Sequence, residues 1–153
     1  MRKSKINISG FKIGTAENRE GLTGVTVILA PDGGATAGVD VRGCAPGTRE
    51  TDLLDPRKTV QKIHAVVLSG GSAFGLEAAS GCVKYLAEQG VGFPIGNVCV
   101  PIVCSAVLFD LMIGDEKAYP DLLMGYEAAK SASSEFLSGC NGAGTGATVG
   151  KLL

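Results

Sequence analysis

Residues 64–89 constrain the fold more strongly than any other stretch of the sequence. Residues 64–69 form a nearly continuous apolar run, which is typical of a central strand covered on both faces. A glycine-rich turn follows at 70–75, and apolar residues then recur at helical spacing as far as Gln89. A strand, a tight turn and a helix in this order predict helices packed on a sheet, with the turn placed to bind a ligand.

The same kinds of pattern predict the remaining elements. One strand or two short ones are expected at 5–13, and further strands at 23–30, 35–42, 91–95 and 98–103, with a turn at 31–34. A second helix is expected from Pro120 to about Ala132, and residues 105–112 fit either a strand or a short helix. Residues 15–21, 43–56 and 131–138 are predicted to be loops because they are polar or rich in turn residues.

Length and charge limit the classes of function. The 153 residues predict a single domain over 1–153. With 14 basic and 15 acidic residues the net charge is −1, which offers no electrostatic footprint for nucleic acid or an anionic membrane surface. Residues 90–109 carry no charge and reach the length of a membrane span, but their glycines and prolines predict buried strands instead.

Cysteine and histidine usage argues against a metal centre. The five cysteines are scattered and contain no C-x-x-C pair, so neither a disulfide framework nor a zinc site is expected. Reduced cysteines, together with the absence of an apolar signal-peptide core at the start of the sequence, favour the cytosol. The only histidine, His64, has no ligand partner nearby in sequence and is predicted to be structural.

The glycine-rich segment at 139–151 is the second candidate for a binding loop. Glycine adopts positive φ at little cost, so a run of this kind can turn several N–H groups toward an anion or a developing oxyanion. The segment is not a P-loop, because Thr145 stands where the motif needs its first glycine and Leu152 stands where it needs Ser or Thr. A flexible tail is the alternative, although Ala147, Thr148 and Val149 are unlike a linker.

Two further functional interpretations are not favoured by the sequence. A nucleophile elbow, G-x-S-x-G, would centre on Ser72, but Phe74 occupies the second glycine position, so Ser72 is predicted to be a helix cap. Arg49 could bind a carboxylate, yet its closeness to Glu50, Asp52 and Asp55 favours local structural ion pairs.

Six segments together resemble one family. They are GVTVIL at 24–29, AGVDVRG at 37–43, APGTRET at 45–51, VLSGGSAFGL at 67–76, VLFD at 107–110 and GAGTGATVGK at 142–151. In this order, and over nearly the whole chain, they resemble the DmpA-like group of L-aminopeptidase D-esterase/D-amidases, β-peptidyl aminopeptidases and nylon-oligomer hydrolases.

The resemblance implies an α-β-β-α sandwich like that of N-terminal-nucleophile hydrolases, of the α/β (α+β) class. It also implies a precursor that cleaves itself before a Ser or Thr, whose hydroxyl becomes the nucleophile and whose α-amine becomes the general base. The implied substrates are small peptides or amides. No metal or other cofactor is implied, and members of the family form homo-oligomers.

The chain departs from the family pattern in three places. In the family the nucleophile lies a short stretch after the glycine-rich segment, as the Ser or Thr of a Gly-Gly-x-Gly-[Ser/Thr] site, and this sequence lacks such a site. We therefore expect an incomplete sandwich, with no catalytic nucleophile of its own and with a β segment as the partner that supplies one. Cys140 occupies the place of the family's oxyanion Asn, with Asn141 one residue later, and Thr15 stands where relatives often carry a His.

The resemblance places the candidate site at two loops. The expected oxyanion and substrate-pocket residues are Asn141, Gly142, Gly144 and Thr145 on one side and Ser69, Gly70, Gly71 and Ser72 on the opposite wall. Two alternatives remain open: a catalytically inactive remnant that only folds and oligomerises, and a small-molecule or phosphate-binding module. Because a truncated sandwich exposes strand edges and apolar surface, we also expect an oligomer or poor solubility.

Overall fold

The computed structural model describes residues 2–151, so Leu152, used in the P-loop comparison, lies outside the described residues. Within 2–151 the chain forms nine strands and two α-helices. The strands are β1 Arg2–Lys5, β2 Lys12–Asn18, β3 Thr23–Leu29, β4 Thr48–Arg49, β5 Ala65–Ser69, β6 Phe93–Ile95, β7 Val98–Val100, β8 Val103–Val107 and β9 Glu135–Ser138. The helices are α1 Ala78–Glu88 and α2 Leu122–Lys130.

A five-stranded sheet in the order β2-β3-β5-β8-β4 organises the fold. Strand β5 lies at its centre, parallel to β8 and antiparallel to β3, which confirms the predicted central strand. The predicted strand at 23–30 and both predicted helices are confirmed as well. The pairs β1-β9 and β6-β7 form separate two-stranded sheets.

The core lies on one side of this sheet. Val25, Val27, Val67 and Val103 are at most 1% exposed and pack with α1 and α2. The alternate residues point to the other side, which we call the open face, and there Leu68 is 38% exposed. The prediction that β5 is covered on both faces is therefore wrong, because no described element forms a second layer over the open face. The α/β class is confirmed, with one helical layer and one sheet of the sandwich.

Three predictions of local structure are wrong, because the presence or absence of a pairing partner decides whether these segments are strands. Residues 15–21 were expected to be a loop, yet β2 runs through Asn18 and pairs along its length with β3. Residues 131–138 were expected to be a loop, yet β9 pairs with β1. Residues 35–42 were expected to be a strand, yet only Ala35 makes a bridge, to Ile63.

Two side-chain predictions are also wrong. Arg49 forms no ion pair with its acidic neighbours within the described chain and instead donates from Nη1 to Ser80 Oγ of α1 at 2.7 Å. Ser72 is not a helix cap: it follows the cap residue Gly71, makes no side-chain cap bond and has φ of 52°. Its left-handed backbone is rare for a residue with a side chain, and its N–H instead donates to Leu108 O at 3.0 Å.

No helix within residues 2–151 is both long enough and apolar enough to cross a bilayer. The uncharged stretch at 90–109 instead contributes β6, β7 and β8, which confirms the predicted strands. The prediction that they are buried is wrong for β6 and β7, which are largely exposed. The hairpin of β6 and β7 pairs Phe93 with Val100 and Ile95 with Val98. These four apolar side chains share one face, and each is at least 37% exposed.

The two helices approach each other through glycines. A Cβ on Gly81 would lie 1.9 Å from Leu122 O, and a Cβ on Gly125 would lie 1.9 Å from Ala78 O. The backbones are therefore in direct contact at both positions, so neither glycine can be enlarged without separating the helices.

We predict that Gly125→Ala lowers the free energy of unfolding by about 1–3 kcal/mol, because overpacking outweighs the gain in helix propensity. Chemical denaturation followed by circular dichroism measures the change. Gly38→Ala is the matched control, since nothing lies within 4 Å of a Cβ built there. Equal effects of the two substitutions would contradict the close packing of the helices.

His64 lies at the start of β5 and is 6% exposed. Its Nδ1 accepts the Ile102 N–H at 3.0 Å, a bond that requires Nδ1 to be unprotonated. Burial lowers the pKa of His64 below its ordinary value of 6.5. This environment agrees with the structural role predicted for the residue.

The lowered pKa of His64 predicts a pH dependence of stability. The unfolded chain binds a proton below pH 6.5 that the folded chain resists, so the contribution of His64 is complete above that pH and declines as pH falls toward the folded pKa. The loss is at most about 1.4 kcal/mol per pH unit. Unfolding of wild type and His64→Gln between pH 8 and pH 5 measures the difference, and parallel curves would contradict the prediction.

Candidate active site

The glycine loop, residues 139–146, packs against the open face of the sheet. Its centre, Gly142–Gly144, forms one short 3-10 turn. The Ala143 N–H donates to Thr26 Oγ1 at 3.1 Å, and Asn141 Nδ2 donates to Thr15 Oγ1 at 2.7 Å. Thr15 and Thr26 are paired residues of β2 and β3, so the sheet fixes where the loop lies.

Gly142 is a position where only glycine fits. Its φ is +56°, and a Cβ would lie 2.4 Å from Thr26 Oγ1. Its N–H donates to Glu17 Oε2 at 3.3 Å, and Glu17 is in turn paired with Arg19. The loop is therefore held in place by polar side chains of β2 and β3.

Hydrogen bonds within the protein account for the loop amides from 141 to 145. Two of these amides donate to the side chains of Glu17 and Thr26, as described above. The other three donate to backbone carbonyls of the loop: Asn141 N–H to Gly139 O, Gly144 N–H to Asn141 O and Thr145 N–H to Gly142 O. The glycine run thus uses these N–H groups to hold its own turn. A substrate oxygen that binds Ala143 N–H must replace the Thr26 hydroxyl as its acceptor.

Asp110 connects the glycine-rich turn at 70–75 to the glycine loop. It is 2% exposed and accepts hydrogen bonds from Thr23 Oγ1 at 2.8 Å and from Gly71 N at 2.6 Å. A Cβ would lie 2.1 Å from Asp110 Oδ2 if built on Gly70 and 3.0 Å from it if built on Gly146. The carboxyl group therefore fits between two glycines that belong to different segments.

An open groove of about 350 Å³ lies between the glycine loop and the ends of β5 and β8. Its lining consists of Thr26, Leu68, Ser69, Ala106, Val107, Leu108, Gly139, Asn141, Ala143 and Gly144. None of these residues carries a charge, so the groove suits neutral, partly apolar groups.

The groove brings together three of the eight residues predicted from the sequence, namely Ser69, Asn141 and Gly144. The other five are not part of its lining. Gly70 and Gly71 contact Asp110, Gly142 contacts Glu17 and Thr26, and Ser72 bonds Leu108 O. Thr145 Oγ1 is buried without a hydrogen-bond partner in the described structure.

The site residues predicted from the sequence did not include Glu17, Thr26 or Asp110. Thr15 and Glu17 are polar and flank the apolar Ala16, and this two-residue spacing could have placed Glu17 beside Thr15 on one face of a strand. Asp110 ends a long uncharged stretch, which could have marked it as a buried acid. Residues 2–151 contain no cluster of His, Cys, Asp and Glu side chains able to hold a metal ion.

Comparison with known proteins identifies the family. The model of Peptidase family S58 matches residues 5–152, so the chain belongs to this family, in agreement with the resemblance seen in its sequence. An uncharacterized aminopeptidase of Mycobacterium tuberculosis is 47% identical over 129 residues, covering 84% of this chain and 37% of the relative. A 6-aminohexanoate-oligomer endohydrolase of Kocuria sp. is 36% identical over 149 residues, covering 97% of this chain and 39% of the relative.

Solved structures show the same fold. A protein of Pyrococcus horikoshii OT3 matches with a TM-score of 0.74 at 22% identity, covering 92% of this chain and 44% of that one. A β-aminopeptidase of Burkholderia sp. matches with a TM-score of 0.69 at 19% identity, covering 91% and 41%. The chain spans about two fifths of the length of these relatives.

We predict that Asp110→Ala lowers the free energy of unfolding by about 1–3 kcal/mol, because the Gly71 amide and the Thr23 hydroxyl lose their buried acceptor. Asp110→Asn loses less, since its remaining oxygen can accept the Gly71 N–H while the Thr23 hydroxyl rotates to accept from the new amide. Thermal and chemical unfolding measure both variants. Asp32→Ala, at an exposed turn, is the control and changes stability by less than about 0.5 kcal/mol. A loss for Asp110→Ala no larger than the control's would contradict this role of the carboxyl group.

Proposed function

We propose that the chain is the α part of a self-processing amidohydrolase that hydrolyses small peptides or amides. A β segment supplies the nucleophile, a Ser or Thr that becomes N-terminal when the precursor cleaves itself. Membership of Peptidase family S58 and the aminopeptidase and endohydrolase relatives support this assignment. The relatives are more than twice as long as the segment matched here, which leaves ample length for a β segment.

The observation that carries the proposal is the groove on the open face. The face lacks a covering layer within residues 2–151, and the glycine loop lies at its end beside Ser69 and Leu68. A second sheet laid on this face completes the sandwich and brings its first strand to the groove. An N-terminal residue of that strand then lies next to Asn141, Ala143 and Gly144.

The proposed chemistry is acyl transfer. The α-amine of the new N-terminal residue takes the proton of its hydroxyl, and the oxygen attacks the amide carbonyl to form a tetrahedral oxyanion. As this intermediate collapses, the α-ammonium group returns its proton to the departing nitrogen, so the amine leaves and an acyl-enzyme ester remains. Water then hydrolyses the ester, with the α-amine taking a proton from the water and returning it to the Ser or Thr oxygen. A preorganised donor near the oxyanion contributes about 3–4 kcal/mol to lowering such a barrier.

Thr26 is the side chain best placed to contribute a hydrogen bond from this chain. Thr26 lines the groove, and its hydroxyl oxygen accepts the Ala143 N–H, so the hydroxyl can donate its own proton to a bound oxygen. The Asn141 amide contacts Thr15 and Arg19 and therefore acts through the shape of the loop.

The proposal includes a cytosolic homo-oligomer. All five cysteines are free thiols, which suits a reducing compartment. The exposed apolar face of the β6–β7 hairpin, formed by Phe93, Ile95, Val98 and Val100, supports association with other subunits.

The test is expression of the complete coding region, followed by intact mass measurement and N-terminal sequencing of every chain. We expect two chains, the second beginning with Ser or Thr, and hydrolysis of aminoacyl p-nitroanilides by the processed pair. Residues 1–153 expressed alone serve as the control and show no turnover. A single unprocessed chain without hydrolytic activity would overturn the proposal and support a non-catalytic remnant.

A further inference from the structure

We propose that Glu17 is a positioning residue for the glycine loop. Its carboxylate binds the Gly142 N–H from the β2 side and holds the turn at 141–144 against the groove. The contact between Glu17 and Gly142 is seen in the structure, whereas its consequence for catalysis rests on the proposed function. Neither the family match nor the sequence resemblance assigns a role to this residue.

The position of Glu17 follows from the register of β2. Thr15 pairs with Thr26 and Glu17 pairs with Gly24, so Thr15 and Glu17 point to the open face together. The side chain of Glu17 is only 17% exposed, which is unusual for a glutamate at the edge of a sheet. Pairing with a glycine leaves space above Gly24, and the glycine loop occupies it: a Cβ on Gly24 would lie 2.4 Å from Gly142 O.

The two oxygens of Glu17 have separate partners. Oε1 accepts from Arg19 Nη2, while Oε2 accepts the Gly142 N–H at 3.3 Å. The guanidinium group also reaches Asn141 Oδ1 at 3.4 Å. One ion pair therefore contacts two successive residues of the turn, and the bond to the amide is charge-assisted.

Three consecutive loop residues are held by side chains of the sheet. Thr15 holds the Asn141 amide, Glu17 holds the Gly142 N–H and Thr26 holds the Ala143 N–H. Thr26 lines the groove, whereas Glu17 is not among its lining residues. Glu17 is thus placed to set the loop position without touching a substrate.

Amide hydrogen exchange of Gly142, measured by NMR on the protein expressed from its complete coding region, tests the contact. We expect Glu17→Ala to accelerate exchange of this amide at least tenfold. Glu17→Gln, which keeps an oxygen in place, accelerates it less. Glu17→Asp withdraws the carboxylate by one methylene and accelerates exchange by about the same factor as Ala.

Glu20→Gln is the matched control, because Glu20 is exposed and its side chain makes no hydrogen bond in the described structure. It leaves exchange at Gly142 unchanged. Unchanged exchange in both Glu17→Ala and Glu17→Asp would overturn the proposal. Acceleration of all core amides together would also overturn it, since that result means global destabilisation. If Glu17→Ala does not fold, Glu17→Asp and Glu17→Gln give the same comparison.

Kinetics of the processed enzyme test the consequence for catalysis. Glu17→Asp lowers kcat about tenfold with little change in KM, and Glu17→Gln recovers part of the loss, because the loop is displaced while the groove is intact. Normal kcat in a variant whose Gly142 exchange is accelerated would overturn the positioning role. If wild type itself shows no hydrolysis, the proposed function fails, and hydrogen exchange still decides whether Glu17 holds the loop.

Discussion

The carboxyl group of Asp110 is the constraint on which the arrangement of the site depends. It is buried between Gly70 and Gly146, two glycines from distant parts of the chain, and a Cβ at either position would press against it. A buried acid is costly unless its oxygens accept hydrogen bonds, and Thr23 and Gly71 supply them. The Asp110 side chain therefore sets the distance between the turn at 70–75 and the glycine loop, and the loop in turn forms one wall of the groove.

Local patterns in the sequence were sufficient to predict those elements that are formed by neighbouring residues. The central strand β5, the helix α1 and the turn between them follow from one apolar run, a group of glycines and a helical repeat. Strands β1 and β9 could not be predicted in this way, because each is only four residues long and becomes a strand by pairing with the other. Strand β2 was missed for the same reason, since β3 supplies its hydrogen bonds.

In the candidate site, too, some residues were predictable from local motifs and others were not. Ser69, Asn141 and Gly144 were predicted because they lie in glycine-rich motifs, and the groove brings them together. Thr15, Glu17 and Thr26 acquire their contacts with the loop only through the register of β2 and β3. Sequence motifs thus identified the loop, whereas tertiary structure was required to show that its amides are held by side chains of the sheet.

Pairing between β1 and β9 has a kinetic consequence. Ser4 and Ser138 are 134 positions apart in the chain, and Thr15 and Asn141 are 126 apart. Contacts of such high contact order are slow to form, because the entropy of closing a long loop is lost before the contacts stabilise it. During synthesis the central strand and its helix can assemble early, whereas the glycine loop can bind β2 and β3 only after a further 117 to 126 residues have been made. The groove therefore forms late relative to the central strand, and it is lost when the glycine loop separates from β2 and β3.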